Sequence, residues 1–318
     1  MMCKQAVSAD GRSGTGGPVS VTSINSCSKI TTTTLLEKKQ RREPITALTA
    51  YDYPSARLVD EAGIDVILVG DSLAMVMLGY DSTMPVTMEE MLHHVRAARR
   101  GVKHGMLVAD MPYGSFQVSN EEGLRNAARF VKEGGVEAVK LEGGEKRVEF
   151  IHRLLDAEIP VFGHIGLTPQ SVHTMGGYKV QGKTLSAIEQ LMRDAVALDR
   201  AGVCGMYLEG IPREVAAMIT AEVKAPTIGI GAGPDCDGQV LVFHDILNLT
   251  FSPPAKFVRR YGDAATLISN AVKAFKRDVE AGVYPADEES YHLPKEARST
   301  IETVMEHKHA VGSRREVV

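Results

Sequence analysis

Short apolar segments alternate with longer amphipathic segments along most of this chain, from about residue 45 to residue 245. The short segments are continuously apolar, which is typical of parallel strands that are buried on both faces. Between them, segments such as MEEMLHHVRAARRG place apolar residues three and four positions apart, which predicts amphipathic helices. The predicted strands are 45–50, 66–70, 106–110, 138–143, 160–166, 205–210, 226–232 and 239–245.

Strands that alternate with helices in this number favour an α/β fold, a (β/α)8 barrel of the TIM type, over an open doubly wound sheet. Gly63, Gly135 and Gly202 each precede an apolar strand that ends in an acid beside a glycine. Glycine suits these junctions because it adopts the left-handed conformation that ends many helices. The eighth strand is ambiguous, because QVLVFHDILNL could also form a helix. The segment LLEKKQRRE predicts an extra N-terminal helix at the bottom of the barrel.

The two ends of the chain differ from this repeating middle. Residues 1–28 are rich in Ser, Gly and Thr and have no periodic apolar pattern, so we expect a disordered N-terminal extension. An organelle address in this extension is an alternative, although the segment has no Arg-rich amphipathic face. We expect one barrel domain over 29–294 and a charged C-terminal tail over 295–318, instead of two domains of roughly 150 residues each.

Charge and composition exclude several classes of partner. Lys and Arg total 36 against 40 for Asp and Glu, and the net charge of −4 argues against nucleic acid as a partner. No uncharged apolar stretch reaches the roughly 18 residues of a membrane span, so we expect no membrane partner. The four cysteines form no CxxC pair, which favours a reduced, cytoplasmic protein. Small molecules are the expected substrates.

Acidic residues end three consecutive strands of the predicted barrel. Asp71, Asp110 and Glu142 close the second, third and fourth strands, at the face where barrel enzymes carry their active sites. Three carboxylates in a small dry volume repel each other, and a hard divalent cation such as Mg²⁺ relieves that repulsion. Alternatively, each acid caps the helix that follows its strand, where negative charge is favourable. The residues alone do not decide between a metal site and helix caps.

Three further polar residues lie at predicted strand ends. Lys140 is two positions before Glu142, so both side chains point to the same side of the strand. Such a lysine could form a Schiff base, hold an anionic oxygen electrostatically, or pair with Glu142. Glu209 ends the sixth strand, apart from the other acids, where a general base is useful. His164 in the fifth strand could hydrogen-bond a substrate or be a satisfied interior histidine.

Several long motifs run through the predicted barrel. They are VGDSLAMVMLGYDSTMPVTMEEMLHH (69–94), VADMPYGSF (108–116), AVKLEGG (138–144), GHIGLTPQSVHTMGGYKVQGK (163–183) and IGIGAGPDCDGQVLVFHD (228–245). These motifs resemble those of the ketopantoate hydroxymethyltransferase family, and the resemblance runs in unbroken order over about residues 30–294. It implies a barrel of the phosphoenolpyruvate/isocitrate lyase type and a homodecamer.

The resemblance also implies a reaction in pantothenate biosynthesis, on the route to coenzyme A. A hydroxymethyl group would pass from 5,10-methylenetetrahydrofolate to 3-methyl-2-oxobutanoate, giving 2-dehydropantoate and tetrahydrofolate. Mg²⁺ would be the cofactor and would stabilise an enolate of the keto acid. The folate would be a co-substrate.

The matching motifs carry implied roles for individual residues. Asp71, Asp110 and Glu142 correspond to the acids of the metal site, and Glu209 corresponds to the proton acceptor. The residues expected to contact the substrate are Asp71, Ser72, Asp110, Lys140 and, as a further candidate, His164.

Two other functions are compatible with these residues. A folate-independent, metal-dependent carbon–carbon lyase or mutase of the related barrel group would use Asp71, Asp110 and Glu142 in the same way. A Schiff-base aldolase that uses Lys140 is a variant of this alternative. A non-catalytic barrel that serves assembly or binding is the second alternative, and such a protein has no need of acids at its strand ends.

Overall fold

Parallel strands form a closed barrel in the computed structural model, which describes residues 28–298, 300–301 and 305. Within these residues there are eight strands, each paired with its neighbours in the sequence, and the last pairs with the first. The (β/α)8 barrel predicted from the apolar pattern is therefore confirmed. The strands are β1 (Ile45–Thr49), β2 (Val66–Val69), β3 (Met106–Asp110), β4 (Ala138–Glu142), β5 (Val161–Gly166), β6 (Gly205–Glu209), β7 (Thr227–Ile230) and β8 (Gly238–Leu241).

Helices connect the strands and form the outer layer. A π-helical turn (Phe130–Gly134) extends the fifth helix, and 3-10 turns lie at Glu145–Arg147, Pro169–Ser171 and Asp287–Glu289. The helices are α1 (Thr32–Arg41), α2 (Tyr53–Glu61), α3 (Leu73–Val76), α4 (Met88–Arg99), α5 (Asn120–Arg129), α6 (Val148–Asp156), α7 (Val172–Met175), α8 (Leu185–Ala201), α9 (Arg213–Glu222), α10 (Phe243–Ile246) and α11 (Ala264–Glu280).

Side-chain caps determine where several of these helices begin. Asp52 accepts a hydrogen bond from the Ser55 backbone N–H at 2.8 Å, and the Ser55 side chain returns to the Asp52 backbone to complete a capping box. Thr87 and Glu90 form the same arrangement at the start of α4. Each cap satisfies backbone N–H groups that have no partner within the helix. Asp52, although it follows a strand, therefore has a structural role.

Two apolar clusters stabilise the barrel. The inner cluster lies inside the ring of strands and includes Val108, Ala138, Phe162 and Tyr207. The outer cluster joins the strands to the surrounding helices. Leu35 of α1 is fully buried in the inner cluster, a burial that contributes on the order of 2 kcal/mol.

The predicted N-terminal helix is confirmed as α1, and ion pairs hold it at the N-terminal ends of the strands. Lys38 Nζ lies 2.6 Å from Asp65 Oδ2, just before β2. Lys39 Nζ lies 2.8 Å from Asp237 Oδ2, just before β8. The opposite end of the barrel is consequently left for the loops that follow the strands.

Both interpretations of the segment QVLVFHDILNL are correct in part. Its first residues belong to β8, which pairs with β1 and β7. Its later residues form α10, a single helical turn. Pairing with β1 stops at Leu241, and the Phe243 backbone N–H donates instead to the Thr49 side chain at 2.9 Å.

The chain divides into two compact units by its internal contacts. The first contains the barrel and comprises the described residues up to Phe243 together with 255–257. The second comprises 244–254 and the described residues from Val258 onward, so it begins inside the range predicted for the barrel domain. Within it, Asp263 caps α11, and Asn248 Nδ2 donates to Asp263 Oδ1 at 2.8 Å. The domain limits at 29 and 294 stay a prediction.

The expectations for the chain ends fall mostly outside the described residues. Of the predicted extension 1–28, only Ser28 is described. In the predicted tail, residues 295–298, 300–301 and 305 are helical. No helix in the described ranges has both the length and the apolar character to cross a membrane.

Candidate active site

Seven predicted site residues gather at the C-terminal ends of β2 to β6. Five of them are at most 5% exposed, whereas the Glu209 side chain is 20% exposed and Ser72 is partly buried. The strand register explains the grouping, since residues opposite each other on paired strands lie at the same height in the barrel. The buried residues are Asp71, Asp110, Lys140, Glu142 and His164.

The register places each residue beside the next around the ring. Asp110 lies opposite Lys140, and Glu142 lies opposite His164. Glu209 lies opposite Gly166, two residues after His164 on β5. A polar arc therefore runs across one end of the barrel from β2 to β6.

Lys140 forms a buried ion pair with Asp110, and not with Glu142. Its Nζ lies 2.7 Å from Asp110 Oδ1 and 2.6 Å from Oδ2, and the Tyr207 ring lies 5.7 Å away. Burial lowers the pKa of Lys140, but the charges of Asp110, Asp71 and Glu142 outweigh it and raise the pKa above its ordinary value. The ammonium is therefore protonated, the form that attracts an anionic oxygen and cannot attack a carbonyl.

The acids that could have capped helices do not do so. Ser72, not Asp71, occupies the N-cap position of α3 and makes no side-chain cap bond. Burial, followed by the charge of Asp110, raises the pKa of Asp71 to about 7. Burial and the charge of Asp71 raise the pKa of Glu142 well above its usual range. Neighbouring carboxylates are thus held together with too little positive charge beside them.

Gln170, which was not among the predicted site residues, links two of these carboxylates. Its Nε2 donates to Asp71 Oδ2 and to the Met111 carbonyl, both at 2.9 Å. Its backbone N–H donates to Glu142 Oε2 at 3.0 Å, and its Oε1 accepts from Gln117 Nε2 at 3.0 Å. Gln170 lies within the motif at residues 163–183, shortly after the fifth strand, but its residue type alone indicated no role.

His164 lies between the carboxylates of two strands. Its Nε2 is 3.3 Å from Glu209 Oε2, and its Nδ1 is 3.6 Å from Glu142 Oε1. Neither ring nitrogen has a hydrogen-bond partner among the described residues. Burial and the charge of Lys140 lower the pKa of His164, so the ring is neutral at pH 7 and has one N–H to donate.

Ser72 is hydrogen-bonded to Tyr51, which was not among the predicted site residues. The hydroxyl groups of Tyr51 and Ser72 lie 2.9 Å apart, and Tyr51 is fully buried. The carbonyl of Tyr51 lies 2.6 Å from His94 Nδ1. Tyr51, which follows the neighbouring strand β1, therefore fixes the position of the Ser72 hydroxyl beside Asp71.

The loop after β5 carries Tyr178, whose pKa is affected by the charges of the site. Burial, followed by the charges of Asp71, Glu209 and Glu142, raises the pKa of Tyr178. The Tyr178 side chain is half exposed. Gly176 and Gly177 next to it have φ angles of +65° and +111°, which glycine adopts without strain.

The three acids have the kind of oxygen atoms that bind Mg²⁺, but their side chains are not arranged around a common metal position. No group of three His, Cys, Asp or Glu side chains in the described part of the chain is arranged to hold a metal ion. Lys140 engages both oxygens of Asp110. Glu142 Oε1, however, is buried without a hydrogen-bond partner, and buried oxygen atoms of this kind are the ligands that Mg²⁺ prefers.

Sequence comparison finds close relatives over most of the chain. The family profile described as ketopantoate hydroxymethyltransferase matches residues 29–287. The 3-methyl-2-oxobutanoate hydroxymethyltransferase of Koribacter versatilis (strain Ellin345) is 74% identical over 284 residues, covering 89% of this chain and 96% of that protein. The protein of the same name from Syntrophomonas wolfei subsp. wolfei is 53% identical, covering 84% of this chain and 97% of its own.

Solved structures share the barrel at low sequence identity. Phosphonopyruvate hydrolase in complex with oxalate and Mg²⁺ matches with a TM-score of 0.53 and 15% identity, covering 89% of this chain and 98% of that one. A 2,3-dimethylmalate lyase of the PEP mutase/isocitrate lyase superfamily matches with a TM-score of 0.52 and 17% identity, with the same coverage. These matches show that the barrel fold is shared with solved structures.

Proposed function

This chain is an enzyme of the ketopantoate hydroxymethyltransferase family, and we propose that its buried carboxylate site transfers a hydroxymethyl group to 3-methyl-2-oxobutanoate. The one-carbon donor is 5,10-methylenetetrahydrofolate, and the products are 2-dehydropantoate and tetrahydrofolate. The observation that carries the proposal is the convergence of three acids, one protonated lysine and Glu209 at a single end of the barrel.

Asp71, Asp110 and Glu142 are the residues that would hold Mg²⁺. The fit rests on the unpartnered Glu142 Oε1 and on the raised pKa of Asp71, both of which indicate a shortage of positive charge. When bound, the cation would draw electron density from the substrate carbonyl and make the neighbouring C–H more acidic. For Asp110 to become a ligand, one of its oxygens must give up its contact with Lys140.

Ser72, Lys140 and His164 would bind and orient the keto acid. The Ser72 hydroxyl, positioned by Tyr51, can donate to the substrate carboxylate. Protonated Lys140 stabilises negative charge that develops on the keto oxygen. Neutral His164 can donate its single N–H to an oxygen between Glu142 and Glu209.

Glu209 would accept the proton from C3 of the substrate. It lies on β6, apart from the three acids of the metal set, and its carboxylate remains partly accessible. A base must reach the proton from a side that the metal ligands do not occupy. The carbanion that remains then forms a carbon–carbon bond to the one-carbon unit of the folate. Water breaks the bond between that carbon and the folate nitrogen, which leaves the hydroxymethyl group on the product and releases tetrahydrofolate.

Deuterium exchange at C3 of 3-methyl-2-oxobutanoate, measured with Mg²⁺ and without folate, tests this proposal. The wild-type enzyme should exchange the C3 hydrogen, and EDTA should stop the exchange. Glu209→Gln should abolish exchange and still bind the keto acid, whereas Glu214→Gln, an exposed acid on α9, should behave as wild type. Exchange at the normal rate in Glu209→Gln would remove Glu209 as the base.

Turnover with and without the folate separates this reaction from its alternatives. Product formation that requires 5,10-methylenetetrahydrofolate excludes a folate-independent lyase or mutase. Borohydride should trap no adduct on Lys140, because a protonated amine forms no Schiff base. A trapped adduct would replace the electrostatic role of Lys140 with a covalent one.

Assembly and location complete the proposal. The family resemblance supports a homodecamer, and the lack of paired cysteine motifs supports a cytoplasmic location. Sedimentation velocity of the full chain would give the mass of the assembly directly.

A further inference from the structure

A polar cleft of about 430 Å³ opens beside the carboxylate site. Its walls are the C-terminal ends of β4 and β5, the loop that follows β5, and one face of α8. This volume lies in the range of roughly 300–1,000 Å³ that is typical of small-molecule sites. None of the residues assigned so far to the keto acid or the metal lines it, so the cleft is available to a second ligand.

The cleft adjoins the reacting groups through the backbone. Gly143, at its edge, directly follows Glu142. Gly166, which also lines it, pairs with Glu209 across β5 and β6. The Gln181 backbone N–H donates to the carbonyl of Gly210, the residue after Glu209, at 2.9 Å. A ligand in the cleft would therefore lie next to the base and to one of the metal-site acids.

Asp194 of α8 is held in a fixed position on the wall of the cleft. Its Oδ1 accepts from the Glu145 backbone N–H at 2.9 Å and from Gln190 Nε2 at 3.2 Å. A Cβ at Gly144 would lie 2.0 Å from Asp194 Cγ, so only glycine allows this close approach. No described residue donates to Asp194 Oδ2, and this oxygen is therefore available to a ligand.

The lining matches the chemistry of a pteridine ring. One edge of that ring carries an N–H next to an amino group, and a fixed carboxylate accepts hydrogen bonds from such an edge. Gln181 and Thr174 can pair with the remaining ring nitrogen and oxygen atoms, while Leu191 and Met175 supply apolar contacts to the ring faces. Lys146, also in the lining, carries charge opposite to that of a folate's glutamate carboxylates.

We infer that this cleft binds the pteridine ring of a reduced folate, with Asp194 accepting from the N–H edge. The inference rests on the proposed function, which requires a folate donor. The transferred carbon bridges the pteridine ring and the aminobenzoyl arm, so a ring in the cleft keeps that carbon close to the Glu209 side of the site.

Calorimetric titration of the full-length enzyme with tetrahydrofolate, and separately with 3-methyl-2-oxobutanoate, tests the inference. Asp194→Asn keeps the size of the side chain and removes its charge, and it should raise the Kd for tetrahydrofolate about 10-fold or more. Ala187→Phe, which places a ring inside the cleft, should raise the Kd for tetrahydrofolate in the same way. Glu189→Gln, an exposed acid on the same helix, should leave the Kd unchanged.

Several results would overturn the inference. An unchanged Kd for tetrahydrofolate in both cleft variants would mean that the folate binds elsewhere. If Asp194→Asn raised the Kd for the keto acid as much as the Kd for tetrahydrofolate, Asp194 would have a general structural role instead. If the wild-type enzyme binds tetrahydrofolate through the cleft but shows no C3 exchange, the proposed reaction fails while the cleft assignment stands.

Discussion

Replacing Asp71 with asparagine should make the metal-free enzyme more stable while it removes activity. Asp71 is 4% exposed and lies beside Asp110, and together these raise its pKa from 3.8 to about 7. Asparagine has nearly the same shape, and its carbonyl oxygen can still accept the hydrogen bond from Gln170 Nε2. The variant therefore removes the buried charge with little change in packing.

The magnitude and the sign follow from proton linkage. An acid with a higher pKa in the folded state binds more protons when folded, so the free energy of unfolding falls as the pH rises. For Asp71 the fall runs from about pH 4 to about pH 7 and amounts to roughly 4 kcal/mol. Asparagine does not ionise, so Asp71→Asn should be more stable than wild type by roughly 4 kcal/mol at pH 8 and by less than half of that at pH 5.

Thermal unfolding in EDTA at the two pH values measures this difference. At pH 8 the midpoint of Asp71→Asn should exceed that of wild type by roughly 8 °C or more. Added Mg²⁺ should raise the midpoint of wild type more than that of the variant, because a ligand stabilises only the protein that binds it. Asp81→Asn, an exposed acid in the loop before α4, should show neither effect. A variant no more stable than wild type at pH 8, or a gap that does not grow with pH, would refute the reasoning.

Three further substitutions test the contacts around the site. Gln170→Leu removes the amide that orients Asp71, so calorimetry should show about 10-fold weaker Mg²⁺ binding. An unchanged affinity for Mg²⁺ would mean that Asp71 does not need Gln170 for its orientation. Lys140→Met leaves Asp110 buried without its cation, so the free energy of unfolding, measured with urea at pH 8, should fall by about 3–5 kcal/mol. An unchanged free energy of unfolding would contradict the buried ion pair. Tyr51→Phe frees the Ser72 hydroxyl, so the KM for 3-methyl-2-oxobutanoate should rise several-fold with little change in kcat. An equal fall in kcat would instead place Tyr51 in the chemical step.

The barrel was predictable because its signals are local. Continuous apolar runs such as VILVG mark strands buried on both faces, and glycines at the helix ends mark the turns between units. Since the C-terminal ends of parallel strands meet at one face, Asp71, Asp110 and Glu142 could be expected together. The limits of the eighth strand were harder to predict, because a short apolar run has no periodicity that distinguishes a strand from a helix.

The partners of the site residues were not predictable in the same way. The two-residue spacing of Lys140 and Glu142 indicated that both side chains face inward, but it also suggested that they pair with each other. The register between β3 and β4 instead sets Asp110 opposite Lys140. Gln170 reaches Asp71 across 99 positions of sequence, and no local pattern records so distant a contact.

The sequence by itself determined the type of fold and the acids that gather at one end of the barrel, because each of these depends on residue type and short-range spacing. Only the tertiary structure decided which charges pair, which acids remain short of positive charge and which residues line the cleft beside them. Those properties depend on strand register and on burial. Asp52 and Asp71 illustrate the difference: both follow a strand, yet one caps a helix and the other is buried beside Asp110.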